Sequence, residues 1–210
     1  MGIKERKERE RERRKQQIIV AAKRVFSDKG FNRATMEDIA REAELSPGTL
    51  YLYFKNKEEL YASLSVRILQ YINIRMEHVV TTAATGPQEK LARLIEAMFD
   101  VYEFDPLTII NMLHLQSSDS LKNLSPELIT QLQDLSRKSM EAIALVFEEG
   151  IKAGLFIKKH PMEMADIFWS LFSGIVVREA GKKIMNPGKD YLKSTLVTAF
   201  HIFSQGIQRG

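Results

Sequence analysis

Apolar residues recur along this chain at spacings of three and four and nowhere alternate one by one, so the pattern predicts helices from end to end. Ile18, Ile19, Ala22, Val25 and Phe26 share one face of a first helix running from about Arg11 to Asp28. Gly30 is placed to end it in a left-handed conformation, with Phe31 folding back as the accompanying apolar contact. A second helix starts at Thr35, a natural N-cap with Asp38 three residues on, and turns Ile39, Ala40 and Ala43 inward. A third starts at Ser46, with Pro47 at the position where a missing N–H costs nothing. Its Leu50 and Phe54 face the core, Gly48 keeps its N-terminal end slim, and Thr49, Tyr51, Leu52 and Tyr53 are left outside. Asn56 and Glu59 then open a fourth helix that reaches about Val80.

Farther on, each boundary pairs a capping residue with proline or glycine. A break at Thr85-Gly86-Pro87 precedes a helix from Gln88 to Phe104, and Asp105-Pro106 starts another through Gln116. Ser125-Pro126 opens a long helix ending near Gly154, and Pro161 opens one that stops before Asn186-Pro187-Gly188. The last runs from about Tyr191 to Gln208. The expected fold is therefore all-α. A three-helix helix-turn-helix domain spans residues 1–57, with a charged arm at about 1–12, and a helical domain spans 58–210.

At 44% hydrophobic residues the chain can bury a core, and it has no cysteine, which excludes disulfides, thiol nucleophiles and thiolate metal sites. No apolar run approaches the roughly 20 residues of a membrane span, and the N-terminus lacks a signal peptide's pattern, so a soluble cytoplasmic protein is expected. His78, His114, His160 and His201 are scattered, and no phosphate loop or catalytic triad stands out. No enzyme, metal or cofactor is expected.

Charge sharpens the picture once it is divided. Residues 1–57 carry 15 Lys and Arg against 9 Asp and Glu, whereas residues 58–210 carry 16 against 18, so the basic excess sits with the helix-turn-helix. Much of it lies in KERKERERERRK, read as a solvated, partly helical arm through residue 10 with a phosphate role for Arg13, Arg14 and Lys15.

An exposed cluster of Thr, two Tyr and Leu on a short helix is hard to explain as solvation, but it suits a surface entering the major groove. The hydroxyls of Thr49, Tyr51 and Tyr53 can donate to phosphates or bases, and Leu52 or the Tyr51 ring can meet a thymine methyl. The alternative for Tyr53 is packing across the first helix. Thr35 and Ser46, and the start of the fourth helix with Lys57, offer phosphate-binding geometry. The expected DNA-binding set is Thr35, Ser46, Pro47, Gly48, Thr49, Tyr51, Leu52, Tyr53 and Lys57. The rival reading is a helical lipid-binding or membrane-surface protein that uses the basic arm.

The stretch FSDKGFNRATMEDIAREAELSPGTLYLYFKNKEEL, within about Lys15 to Leu60, resembles the DNA-binding domain of TetR/AcrR-type transcriptional regulators. The match runs through Gly30-Phe31, Thr35, Ile39-Ala40, Ser46 to Thr49, and Tyr51-Leu52-Tyr53-Phe54 followed by Lys57. Two positions depart from it. Such regulators usually have glycine in the turn where this chain has Glu44, and many carry a polar aromatic or histidine where it has Leu52.

The resemblance implies a palindromic operator bound by a homodimer and released on effector binding, with residues 58–210 as an all-helical ligand-binding and dimerisation domain. YLYFKNKE also recurs in regulators of fatty-acid metabolism that bind acyl thioesters, although it lies in the DNA-binding part. Met98, Tyr102, Asn111, His114, Met140, Phe147 and Trp169 are candidate linings for an apolar effector pocket. The resemblance also points to a twofold four-helix interface from the last two helices, through Phe168, Leu171, Ile175, Leu196, Phe200 and Phe203, with burial inside one subunit as the alternative.

Overall fold

A computed structural model describes the chain except for Met1, residues 83–85, Ser117, Ser118, Asn186, Pro187, Lys189 and Gly210. Thr85 of the first expected break and Asn186-Pro187 of the last therefore lie outside the described residues. The helices are α1 (Ile3–Arg33), α2 (Met36–Glu42), α3 (Pro47–Tyr51), α4 (Lys57–Thr81), α5 (Pro87–Phe104), α6 (Pro106–Gln116), α7 (Pro126–Lys152), α8 (Pro161–Met185) and α9 (Leu192–Ile207). A 3-10 turn, Asp119–Asn123, sits between α6 and α7 and has no counterpart in the sequence pattern. Extended pairing among the described residues is confined to an isolated bridge between Phe156 and Gln208. The fold is all-α, as the periodicity predicts.

Helix α1 begins at Ile3 rather than Arg11, because a run of Lys, Glu and Arg is intrinsically helical and adds pairs such as Arg13–Glu10 at 2.6 Å. It breaks at Gly30, whose φ of 74° suits glycine, before a last turn that ends at Arg33.

Two large apolar cores divide the molecule, and Ala62, Leu115 and Leu124 form a small third cluster. The first collects Ile18, Ala22 and Phe26 of α1, Ile39 and Ala40 of α2, Leu50 of α3, and Phe54, with Leu60 and Leu64 of α4. The second takes α4 from Ile68 onward and surrounds it with α5 to α9. A single unbroken helix thus contributes its first two turns to one core and the remainder to the other.

At the end of α7, Gly150 accepts the ring of Phe156: a Cβ there would stand 2.0 Å from Cδ2. Phe156 is fully buried, and both its N–H and that of Leu155 donate to the Gly150 carbonyl.

The interface expected from α8 and α9 needs correction. Phe168, Leu196 and Phe200 are at most 1% exposed and belong to the second core, with the Phe168 and Phe200 rings 4.8 Å apart. No second copy can reach them, because the broad apolar faces of these helices serve the subunit itself first. Phe203 is half-buried against Phe147, and Leu171 and Ile175 are half-buried at the core's edge. The outward faces instead present Ile167, Val197 and Ile202.

Candidate nucleic-acid interface and effector cavity

Local capping builds the helix-turn-helix. Thr35 Oγ1 accepts from the Asp38 N–H at 3.1 Å, and the Asp38 carboxylate accepts from the Thr35 N–H at 3.3 Å. Asp38 is also paired with Lys29 at 2.7 Å, and this bond to the Lys29 ammonium holds its carboxyl below the usual range. With Arg24–Glu42 at 3.1 Å, it fastens α2 to α1. Glu44 takes φ of 55°, the left-handed conformation for which glycine is suited, at a cost of about 1 kcal/mol. The turn closes through Leu45 N–H to Ala40 O at 2.8 Å.

Ser46 then caps α3, its Oγ accepting from the Thr49 N–H at 3.2 Å and lying 2.9 Å from Thr49 Oγ1. Leu50 and Phe54, both buried, pin the short helix. Its outer side presents Tyr51 at 50% exposure and Leu52 at 74%, next to exposed Pro47 and Gly48, with Thr49 half-buried. Tyr51 and Leu52 side by side give this end of α3 an exposed apolar edge that is available for contact.

Two expected members sit differently. Tyr53 is half-buried and packs on the first core, the alternative left open for it. Lys57 does not face outward: its ammonium donates to Phe31 O at 2.8 Å and Ala34 O at 3.0 Å and stands 4.5 Å from the Phe31 ring centre. It ties the start of α4 to the turn behind Gly30, a positioning role that the sequence spacing does not reveal because its partners lie more than twenty residues upstream. Tyr61 completes this joint between the Phe26 and Phe31 rings, and burial pushes its hydroxyl up to about 12.

Three polar links run from this reading unit to the helices that follow it. Lys23 meets Asp105 at 2.5 Å, and Asp105 accepts from the Thr108 N–H at the start of α6. Glu59, a buried carboxylate, accepts from the N–H of Lys55 at 2.9 Å and from that of Ser125, just before α7, at 3.2 Å. Asn56 adds a bond to Asn123 O at 3.2 Å.

Helices α4, α6 and α7 and the 3-10 turn also bound a 520 Å³ cavity. Leu69, Met112, Leu115, Leu121, Ile129 and Leu132 line it, with Ser65, Lys122, Gln133 and Ser136 as its polar members. Leu69 and Ser136 also border a 150 Å³ cavity formed with Ile72, Ser139, Met140, Asp166 and Trp169. Of the expected lining residues, Met140 and Trp169 thus border a cavity. Met98 and Phe147 are fully buried core residues, and Tyr102, Asn111 and His114 border neither of these cavities. Sequence reasoning passed over Ser65, Gln133 and Ser136 because small polar residues on a helix read as solvated. A 690 Å³ groove elsewhere between α4 and α7 is wider and more open, lined by Ile74, Val80, Leu135 and Leu145 with Glu77, Lys138 and Glu141 among them.

Among the described residues no group of three His, Asp or Glu side chains could hold a metal ion, and no helix is long and apolar enough to cross a membrane.

Residues 18–64 match the family model for bacterial regulatory proteins of the tetR family. The chain is 34% identical over 139 residues to the fatty acid metabolism regulator protein of Bacillus subtilis, covering 66% of this chain and 68% of that one. It is 27% identical over 146 residues to the transcriptional repressor KstR2 of Mycolicibacterium smegmatis, covering 68% of this chain and 67% of that protein. In three dimensions it superposes on the regulator FadR from Bacillus subtilis, solved in complex with stearoyl-CoA, with a TM-score of 0.66 at 25% identity over 91% of this chain and 98% of that one. The PfmR regulator from Thermus thermophilus gives a TM-score of 0.70 at 22% identity, over 92% and 99% of the two chains.

Proposed function

The chain belongs to the TetR family of bacterial regulatory proteins and is a DNA-binding transcriptional regulator, and from that premise we propose a repressor released by an acyl-type effector. Two copies, joined through the outward faces of α8 and α9 around Ile167, Leu171, Ile175, Val197 and Ile202, set two α3 helices into successive major grooves about 34 Å apart. Tyr51 and Leu52 meet base edges, while Thr35 and whichever of the paired Ser46 and Thr49 hydroxyls keeps its hydrogen free donate to phosphates.

The observation that carries the effector reading is the mostly aliphatic cavity between α4, α6 and α7, helices whose starts also carry or adjoin polar links to the reading unit. The relative bound to stearoyl-CoA suggests its class: an acyl chain attached to a polar carrier, the chain inside and the carrier outside. The lining is aliphatic enough to measure chain length, at about 0.8 kcal/mol per buried methylene, roughly fourfold in affinity. The effector acts only by its differential affinity for the DNA-fitting and DNA-releasing arrangements. Filling the cavity displaces α6 and the start of α7, and with them Asp105 and Ser125, so that α4 carries the reading unit away from the groove spacing.

The test uses a duplex selected by the protein from random sequence. Binding followed by fluorescence anisotropy is expected to be dimeric, reduced at least tenfold by Tyr51→Ala, and reversed by stearoyl-CoA more strongly than by octanoyl-CoA. Operator binding that survives every acyl-CoA at saturation overturns the effector assignment and leaves the DNA-binding function standing.

A further inference from the structure

The run KERKERERERRK alternates in sign along the sequence, yet folded as the first turns of α1 it does not alternate in space. At about 100° per residue, Lys4, Lys7, Arg11, Arg14 and Lys15 fall within an arc of roughly 100°. Glu5, Glu8 and Glu12 gather in the neighbouring arc. Arg6, Arg9 and Arg13 lie on the far side, with Glu10, to which Arg13 is paired at 2.6 Å. None of the ion pairs among the described residues involves Lys4, Lys7, Arg11 or Arg14.

The direction of this basic stripe is fixed by the later turns of the same helix. Carried on at the same spacing, it becomes Ile18, Ala21, Ala22 and Val25, the buried face that α1 turns to the helix-turn-helix. Arg14 and Lys15, at the junction, are half-buried, and the Lys15 ammonium stands 5.7 Å from the ring centre of Phe54, three residues beyond Tyr51. The stripe therefore leaves the domain beside the recognition helix, on the face that the domain's core occupies farther along.

We propose that this stripe is a second DNA contact, which lies against the backbone of the duplex flanking the half-site read by α3. The proposal rests on that reading of α3. The stripe spans roughly 16 Å, from Lys4 to Lys15, enough to meet several phosphates. Its composition favours a nucleic acid over a lipid surface: a helix that beds into a membrane interface needs an apolar face, and the described side chains from Lys4 to Lys15 are all polar or charged. Base contacts are not required. The contact raises affinity and salt sensitivity for any flanking sequence.

Two interleaved double variants of equal charge test it: Lys7→Gln with Arg11→Gln on the stripe, and Arg6→Gln with Arg9→Gln off it. All four positions are exposed, and glutamine keeps helix propensity. Each is titrated with the selected duplex in two lengths, trimmed to the half-sites or extended by ten base pairs on both sides, across a range of salt. On the long duplex the stripe variant, which loses two charges in each copy of the dimer, is expected to lower the slope of log K against log salt by about 4, at roughly 0.9 per phosphate released. The off-stripe variant should change it by well under half of that, and the difference should vanish on the trimmed duplex. Equal slopes for the two variants on the long duplex overturn the proposal, as does stripe-dependent binding to phosphatidylserine vesicles with an unchanged DNA slope. Failure of the unsubstituted chain to select any duplex overturns the reading of α3 itself, a result distinct from equal slopes.

Discussion

The α2–α3 turn and the cavity behind it are built on opposite principles. The turn is closed by bonds that reach at most five residues, from Thr35 to Asp38, Ala40 to Leu45 and Ser46 to Thr49. The cavity is closed by side chains that begin at Ser65 and end at Ser136, drawn from three helices and a 3-10 turn. A reader of DNA needs a fixed shape, which short-range bonds supply. A sensor of a small molecule needs walls that can move apart, which distant elements supply. The contrast predicts that damage to the first region abolishes binding, whereas damage to the second alters its regulation.

The largest effect is expected from Leu50→Ala. It removes the fully buried anchor of α3 and should cost roughly 2 to 5 kcal/mol in urea unfolding, with loss of operator binding. Met112→Ala, in the cavity wall, should leave operator affinity intact while altering acyl-CoA affinity. Equal loss of DNA binding by both would erase the distinction. Next is Gly150→Ala, which forces a methyl group into the Phe156 ring and should lower stability by about 1 to 3 kcal/mol, read as a depressed melting temperature. Its operator affinity, measured well below that melting point, should not change.

Glu59→Gln probes the boundary between the regions. One carboxylate serves two backbone N–H groups, and an amide can accept only through its oxygen, so a loss of about 1.5 kcal/mol is expected in unfolding experiments. The effector should also release DNA less completely from this variant, because Ser125 no longer pulls on the reading unit. Asp105 gives a pH signature. Burial pushes its carboxyl up, but the Lys23 ammonium and the Thr108 bond outweigh it and hold it below the usual value. Such a group adds stability that is full above an ordinary carboxylate pKa of about 3.9 and is lost as pH falls through the lower folded-state value. Asp105→Asn should therefore flatten the acid limb of a urea-midpoint profile and leave its alkaline side unchanged. The smallest effect has the opposite sign: Glu44→Gly should raise stability by about 0.5 to 1 kcal/mol, since glycine relieves the left-handed strain. A loss there would show that the Glu44 side chain contributes more than its backbone strain costs.

The same contrast explains what could be read from the residues alone. Thr35, Ser46, Gly30 and the strain at Glu44 are legible because a cap or a left-handed turn is specified within a few neighbours. The starts of α4 to α8, each behind a capping residue or at a proline, follow the same logic. The bonds of Lys57 are not legible in the sequence, because its carbonyl partners are near it only after α1 and α4 have packed. Phe168, Leu196 and Phe200 misled in the same way: a broad apolar face announces burial without naming the surface that buries it. The cavity lining is the least legible, since Met98 and Met112 are both buried core residues with similar helical surroundings and only tertiary packing sets Met112 against the cavity.

Helix α4 has a mechanical consequence. It runs unbroken for 25 residues and changes allegiance between Leu64 and Ile68. If it pivots there, the stretch back to Lys57 is a lever arm of roughly 16 Å, and a tilt of about 5° swings its tip by about 1.4 Å. Two mirrored levers in a dimer double that change across the operator, a mismatch larger than the tolerance of a hydrogen bond. In the proposed dimer, a displacement of the cavity walls no larger than a methyl group would be enough to put both recognition helices out of register.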